Sequence, residues 1–129
     1  MNKYSKWIRI IRYVLGGIVL LFALNGFLQF LPMPPLPDPA SEFFGALYQT
    51  GYMIPLLYGV EIIVAILLLV KRYVPLALLL FAPIAVNILF FHLFLAPAGG
   101  LAGYITVILE VIMLFAYKAD YKLILSSRS

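Results

Sequence analysis

Long apolar runs dominate the chain, separated by short polar or proline-rich segments. Four runs are long enough to cross the roughly 30 Å hydrocarbon layer of a bilayer as helices, and they cover residues 12–31, 53–70, 73–95 and 101–117. A backbone in lipid must satisfy its own hydrogen bonds, and these runs lack the alternation of barrel strands. The pattern therefore predicts an all-α protein, a four-transmembrane-helix bundle.

The connection between the first two runs, "PMPPLPDPASEFFGALYQTGY", predicts an additional short helix. Asp38 can cap its start, Pro39 suits the first helical position, and Gly51 can end it. Its larger apolar residues share one face, namely Phe43, Phe44, Leu47 and Tyr48. We expect this helix to lie in the outer interface, either as an anchor or as a lid over the bundle.

The composition is that of a membrane protein. The chain is 65% hydrophobic and 11% charged with a mean hydropathy of +1.10, whereas a soluble domain is about half apolar and about a quarter charged. We expect a single domain over residues 1–129 that lies in the lipid bilayer. Because there is no cysteine, disulfides, iron–sulfur clusters and thiolate zinc sites are excluded, and we expect no metal site.

The basic residues predict the orientation. They lie before the first run (Lys3, Lys6, Arg9, Arg12), between the second and third (Lys71, Arg72), and after the fourth (Lys118, Lys122, Arg128). The positive-inside rule places both termini in the cytoplasm. These residues anchor helix ends to anionic headgroups, which accounts for the net charge of +4 without a nucleic-acid partner. The first run is long for a secretory signal and has no cleavage site after it, so we expect it to be retained.

Polar side chains within the apolar runs are the candidates for function. They are Asn25, Gln29, Glu61, Asn87, His92 and Glu110. At about 1.5 Å per residue, the amides and the histidine lie in the outer half, and the two glutamates lie near the midplane. The cytoplasmic half has almost none. This distribution predicts a polar pocket that opens outwards and ends at two acids.

The two glutamates are costly at this depth. An ionised carboxylate at the bilayer centre costs at least about 2.5 kcal/mol, so Glu61 and Glu110 should face the bundle interior. No cation lies at their depth, and desolvation favours the neutral acid. A weak internal repeat, "VEIIVAILLLVKRY" and "LEVIMLFAYKADY", would bring the two acids together near one axis. We expect one or both to be protonated at neutral pH and to donate a hydrogen bond to an amide, a carbonyl or a tyrosine such as Tyr58.

The segments "LNGFLQFLPMPPLP" and "YGVEIIVAILLLVKRYVPLALLLFAPIAVNILFFHLFLAPAG" resemble the DoxX family of small bacterial membrane proteins. The resemblance covers nearly all of the chain, and "VPLALLLFAPIAVNILFFHLFLAPAG" is its most specific part. It implies a four-helix transmembrane fold in the bacterial plasma (inner) membrane and an association with thiosulfate:quinone oxidoreduction. It places Glu61, Asn87 and His92 in recurrent motifs of the family.

Three kinds of function fit these features. The first is a redox-associated membrane subunit that binds a quinone or another small lipophilic molecule, with electrons from a soluble or membrane partner because the chain has no intrinsic cofactor. Glu61 and Glu110 would exchange protons in it, and the ligand would contact Asn25, Gln29, Tyr58, Asn87 and His92. The second is a small-solute or proton-coupled carrier, for which four helices are few, so a homodimer is expected. The third is a structural or assembly protein whose polar residues only hold helices together.

Overall fold

The computed structural model describes residues 5–28, 37–97 and 100–125, and all regular structure in these ranges is helical. The helices are α1 (Ser5–Leu28), α2 (Asp38–Gln49), α3 (Met53–Val70), α4 (Val74–Phe90), α5 (Leu101–Ala116) and α6 (Lys122–Leu125). A π-helical turn, Phe91–Leu95, extends α4, and a 3₁₀ turn, Lys118–Tyr121, precedes α6. The predicted all-α class is confirmed for this part of the chain.

The four long helices form a ring in which each helix packs against the next and α5 closes on α1. Neighbours run antiparallel: Gly16 of α1 lies against Leu69 near the end of α3, and Gly26 lies against Tyr58 near its start. The connection from α3 to α4 is short, so these two helices are antiparallel as well. The predicted short helix between the first two long helices is α2, which packs against α3 and the π-helical turn.

The interior and exterior of the ring differ in the way expected for a bundle in lipid. Each helix buries residues spaced by three, four or seven positions, and the buried set includes Arg12, Asn25, Glu61, Thr106 and Glu110. The exposed faces instead carry many large apolar side chains, among them Ile63, Leu80 and Ile108. A bundle in water would place its polar residues outside and its apolar residues inside.

Three helices, Lys6–Leu28, Met53–Val70 and Val74–Leu95, are long and apolar enough to cross a membrane. The fourth apolar helix, Leu101–Ala116, has 16 residues and extends about 24 Å. The predicted second segment agrees with α3. The first helix begins at Ser5 instead of residue 12, because the basic residues before the apolar run are themselves helical.

Aromatic contacts hold α2 against the end of the bundle where α4 ends. The ring of Phe91 lies 5.8 Å from that of Phe43 and 5.1 Å from that of Phe44, between centroids. The apolar face of α2 therefore packs on the π-helical turn of the same chain, with Ala40 buried beneath it. This is the contact that a lid would make.

Candidate functional site

Glu61 lies on the buried face of α3 and is 8% exposed. Tyr58, one turn earlier, interacts with it electrostatically, and no hydrogen bond joins the two side chains. The Tyr58 ring is fixed against α1: a Cβ added at Gly26 would lie 2.5 Å from its Cζ, and its centroid is 5.7 Å from that of Phe27. Only a glycine allows this close approach. Tyr58 is thus near Glu61, but the predicted hydrogen bond between them is not present.

Glu110 is buried on the inner face of α5 with 1% exposure. Neither of its carboxyl oxygens has a hydrogen-bond partner among the described residues. Thr106, one turn earlier on the same face, donates its hydroxyl to Ala102 O in its own helix, at 2.8 Å. Because an unpaired buried polar group costs about 1–3 kcal/mol, the stability of the fold does not explain Glu110.

Tyr121 connects Glu110 with the start of α4. It interacts electrostatically with Glu110, and its hydroxyl donates to Pro75 O at 2.7 Å. Burial raises the pKa of Tyr121 to about 12, with smaller contributions from Glu110, Asp120 and Tyr117. The hydroxyl therefore stays protonated and keeps this bond at neutral pH. This hydrogen bond attaches the 3₁₀ turn to the start of α4.

The expected meeting of the two acids is not seen. No hydrogen bond or charge interaction between Glu61 and Glu110 is present, and their tyrosine partners lie at opposite ends of the bundle. The reason is the order of the helices, since α3 and α5 each pack mainly on α1 and α4. Core side chains such as Phe81 and Met113 fill the interior of the ring.

His92 lies in the π-helical turn, against the start of α5. Its Nδ1 is 3.3 Å from Ala96 O, a carbonyl that can only accept, so this nitrogen carries the proton when the bond forms. A Cβ added at Gly103 would lie 2.5 Å from Nε2, and the Tyr104 ring centroid is 5.7 Å from that of His92. The ring is thus enclosed by the start of α5 and by the aromatic side chains of Phe91 and Tyr104.

Of the predicted amides, Asn87 points away from the bundle interior. Asn25 is buried in α1. Asn87 is exposed on the side of α4 opposite the buried Phe81 and Ala85, and its Nδ2 donates to Pro83 O at 3.0 Å. Gln29 lies outside the described residues. Depth along a helix was the basis of the prediction, but it does not determine which way a side chain points.

An apolar groove opens between the first half of α3 and the second half of α4. This α3–α4 groove has a volume of about 200 Å³ and is lined by Met53, Leu56, Leu57, Val60 and Ile84. Leu56 is 55% exposed, so the groove is open to the outside of the bundle. Glu61 follows Val60 directly in the sequence and lies one turn after Leu57, but its side chain is not part of the groove lining. Walls of this kind fit a lipophilic molecule better than a polar solute.

Sequence reasoning missed Arg12, which it assigned to the headgroup region. Arg12 is 3% exposed, and its guanidinium donates to Leu68 O near the end of α3. The guanidinium also lies over the Tyr13 ring, 4.5 Å from the centroid. The spacing of Arg12, Leu15 and Val19 was the available signal, because it puts all three on one helical face.

Comparison of the chain with protein-family models, with curated proteins and with solved structures finds no match. The resemblance to the DoxX family therefore stays a prediction. The function has to be argued from the two buried acids and the α3–α4 groove.

Proposed function

We propose that this chain is a DoxX-like integral membrane protein that binds a lipid-soluble molecule of the quinone class in the α3–α4 groove. Glu61 exchanges a proton with the bound molecule in this proposal. The observation that carries it is the groove itself, an apolar cavity between two helices, one of which also carries the buried Glu61 one turn beyond Leu57. A ligand dissolved in the bilayer could enter it sideways without crossing water.

The size and lining of the groove suit one end of such a molecule. Drug-sized ligands occupy about 300–1,000 Å³, so a groove of about 200 Å³ accommodates one ring or one isoprenoid unit. Met53 and the leucines contact it from α3, and Ile84 contacts it from α4. Quinone reduction takes two electrons and two protons. A redox partner would supply the electrons, Glu61 would transfer one proton to a quinone oxygen, and the second proton would come from water at the membrane surface.

Glu110 is the second proton-exchanging group in the proposal, on the inner side of the bundle. Its carboxyl group has no hydrogen-bond partner among the described residues, so the neutral acid can give its proton to an acceptor that enters there and later take one back. Tyr121 lies close enough to interact with it and marks the inner end. The two acids thus act separately, one beside the groove and one towards the cytoplasm.

The proposal includes four membrane spans and cytoplasmic termini, in a bacterial plasma membrane. Arg12 lies beside Leu68 and interacts with Tyr117, so the start of α1, the end of α3 and the end of α5 lie at the same end of the bundle. The basic residues of all three regions collect there, which supports a cytoplasmic position for this end. The fourth span is α5.

Binding of a tritiated short-chain ubiquinone to the purified protein in lipid nanodiscs tests this function. Leu57→Trp fills the groove and should weaken binding at least about tenfold, since the larger side chain competes for the cavity. Glu61→Gln should weaken binding less, because the amide keeps the shape and loses the acid. Ile63→Trp, on the exposed face of the same helix, is the matched control and should leave binding unchanged.

The outcomes separate the three functions. Wild-type protein that is fully helical by circular dichroism but shows no saturable quinone binding would overturn the proposal. Proton uptake into liposomes without quinone binding would instead indicate a carrier. The groove gives a carrier of polar solutes no support, because its lining is wholly apolar.

A further inference from the structure

Helix α4 has two apolar faces, and the ring of helices covers only one of them. Its buried face consists of Val74, Ala77, Leu78, Phe81 and Ala85. On the opposite side, exposed residues follow one another at separations of four, three, four, three and four positions: Leu76, Leu80, Pro83, Asn87, Phe90 and Phe94. The ring centroids of Phe90 and Phe94 are 5.9 Å apart, so the two belong to one face. We name these six residues the α4 seam.

The spacing of the α4 seam is that of paired helices. An average separation of about 3.5 residues keeps a stripe in contact with a second helix that winds around the first. Any single face of an α-helix has nearly this spacing, and Leu79, Val86 and Leu93 are also exposed. What favours a paired helix is therefore Asn87. Asn87 is the polar residue of the seam, with Leu80 and Pro83 on one side along the helix and the two phenylalanines on the other.

The Asn87 amide requires a neighbour that can form hydrogen bonds, which lipid tails cannot. Its Nδ2 donates to Pro83 O, and it makes no other polar contact within the described residues. One N–H of the amide and the oxygen Oδ1 therefore point away from the bundle without a partner. Lipid tails can cover the leucines and phenylalanines of the seam, but they offer no hydrogen bond to an amide.

We propose that the α4 seam is a dimer interface in which a second copy of this chain places its own α4 alongside, with the two Asn87 amides hydrogen-bonded. An amide both donates and accepts, so the same residue at the same depth is its complement. Copies in one membrane share one orientation, which brings the two seams together in parallel about an axis along the membrane normal. An asparagine at one such position favours a parallel pair in fixed register. This inference does not depend on the proposed ligand.

Disulfide cross-linking in native membranes tests the interface, because the chain contains no cysteine. Leu80→Cys, one position of the seam away from Pro83, should form a disulfide-linked dimer on oxidation with copper phenanthroline. Ile63→Cys is the control, since Ile63 is at least as exposed as Leu80 (55% against 43%) and lies at a similar depth, but on α3. It should stay monomeric under the same conditions.

The role of Asn87 is tested in the Leu80→Cys background. Asn87→Leu should lower the dimer association constant by roughly threefold to twentyfold, the range given by interhelical hydrogen bonds in membranes. Leu80→Cys protein that stays monomeric, or cross-links no better than Ile63→Cys, would overturn the dimer. Cross-linking that Asn87→Leu leaves unchanged would overturn the amide pair.

Discussion

Replacing Arg12 by leucine tests whether a buried charge stabilises the packing of the first half of α1 on the end of α3. The Arg12 guanidinium donates to Leu68 O, in the last turn of α3. The N–H that would normally reach this carbonyl, that of Arg72, donates to Leu67 O instead, as does that of Lys71. Leu68 O therefore depends on Arg12 for a partner in place of a backbone donor.

The expected loss follows from these contacts. A buried carbonyl left without its partner costs about 1–3 kcal/mol. A cation at a helix C-terminus adds roughly 0.3–1 kcal/mol of stabilisation, and relief of the desolvation of the guanidinium acts in the opposite direction. We expect Arg12→Leu to lower the free energy of unfolding by about 2 kcal/mol. Arg12→Lys should lose less, since it keeps the charge and one donor.

Unfolding of the purified protein in mixed micelles, with increasing sodium dodecyl sulfate and circular dichroism as the signal, measures this loss. Arg9→Leu is the matched control: it removes the same charge one turn earlier, from an exposed position. We expect it to change stability by less than about 0.5 kcal/mol. Equal effects of the two leucine variants, or no effect of Arg12→Leu, would refute the structural role of the guanidinium.

Three further predictions concern the packing, the inner acid and the topology. Gly103→Ala should destabilise the protein by about 1–3 kcal/mol because its Cβ would meet the His92 ring; Gly17→Ala, with open space around it, should not destabilise, and equal thermal shifts would contradict the contact. Glu110→Met should raise the free energy of unfolding by about 1 kcal/mol or more because it removes two unpartnered oxygens; a loss of stability would reveal a partner for the acid. Green fluorescent protein fused to the C-terminus should fluoresce, and alkaline phosphatase fused there should be inactive; the reverse pattern would contradict cytoplasmic termini.

The sequence predicts α3 well because its ends are marked chemically. Gly51 precedes the helix, Lys71 and Arg72 follow it, and the residues between are almost all apolar. The start of helix α1, at Ser5, could not be predicted in this way. Helical periodicity continues through its basic residues, so hydropathy alone could not show that Arg12 belongs to the buried face.

The candidate site was predictable in depth but not in direction. Glu61 and Glu110 are buried, as the cost of an acid in lipid predicted. Their separation depends on which helices are neighbours in the ring, and a local repeat does not contain that information. Asn87 shows the same limit, since its depth suggested the pocket while its position around α4 points it outwards. The α3–α4 groove arises only when two helices pack, so no single segment could predict it.

Photolabelling of the protein in membranes with an azido derivative of ubiquinone, followed by mass spectrometry of its peptides, tests ligand binding beside Glu61 most directly. The account predicts label on Met53–Val60 of α3 and around Ile84 of α4, and the label should disappear when unlabelled quinone competes. Label confined to the exposed faces of α1 and α5, or label that unlabelled quinone does not displace, would contradict it.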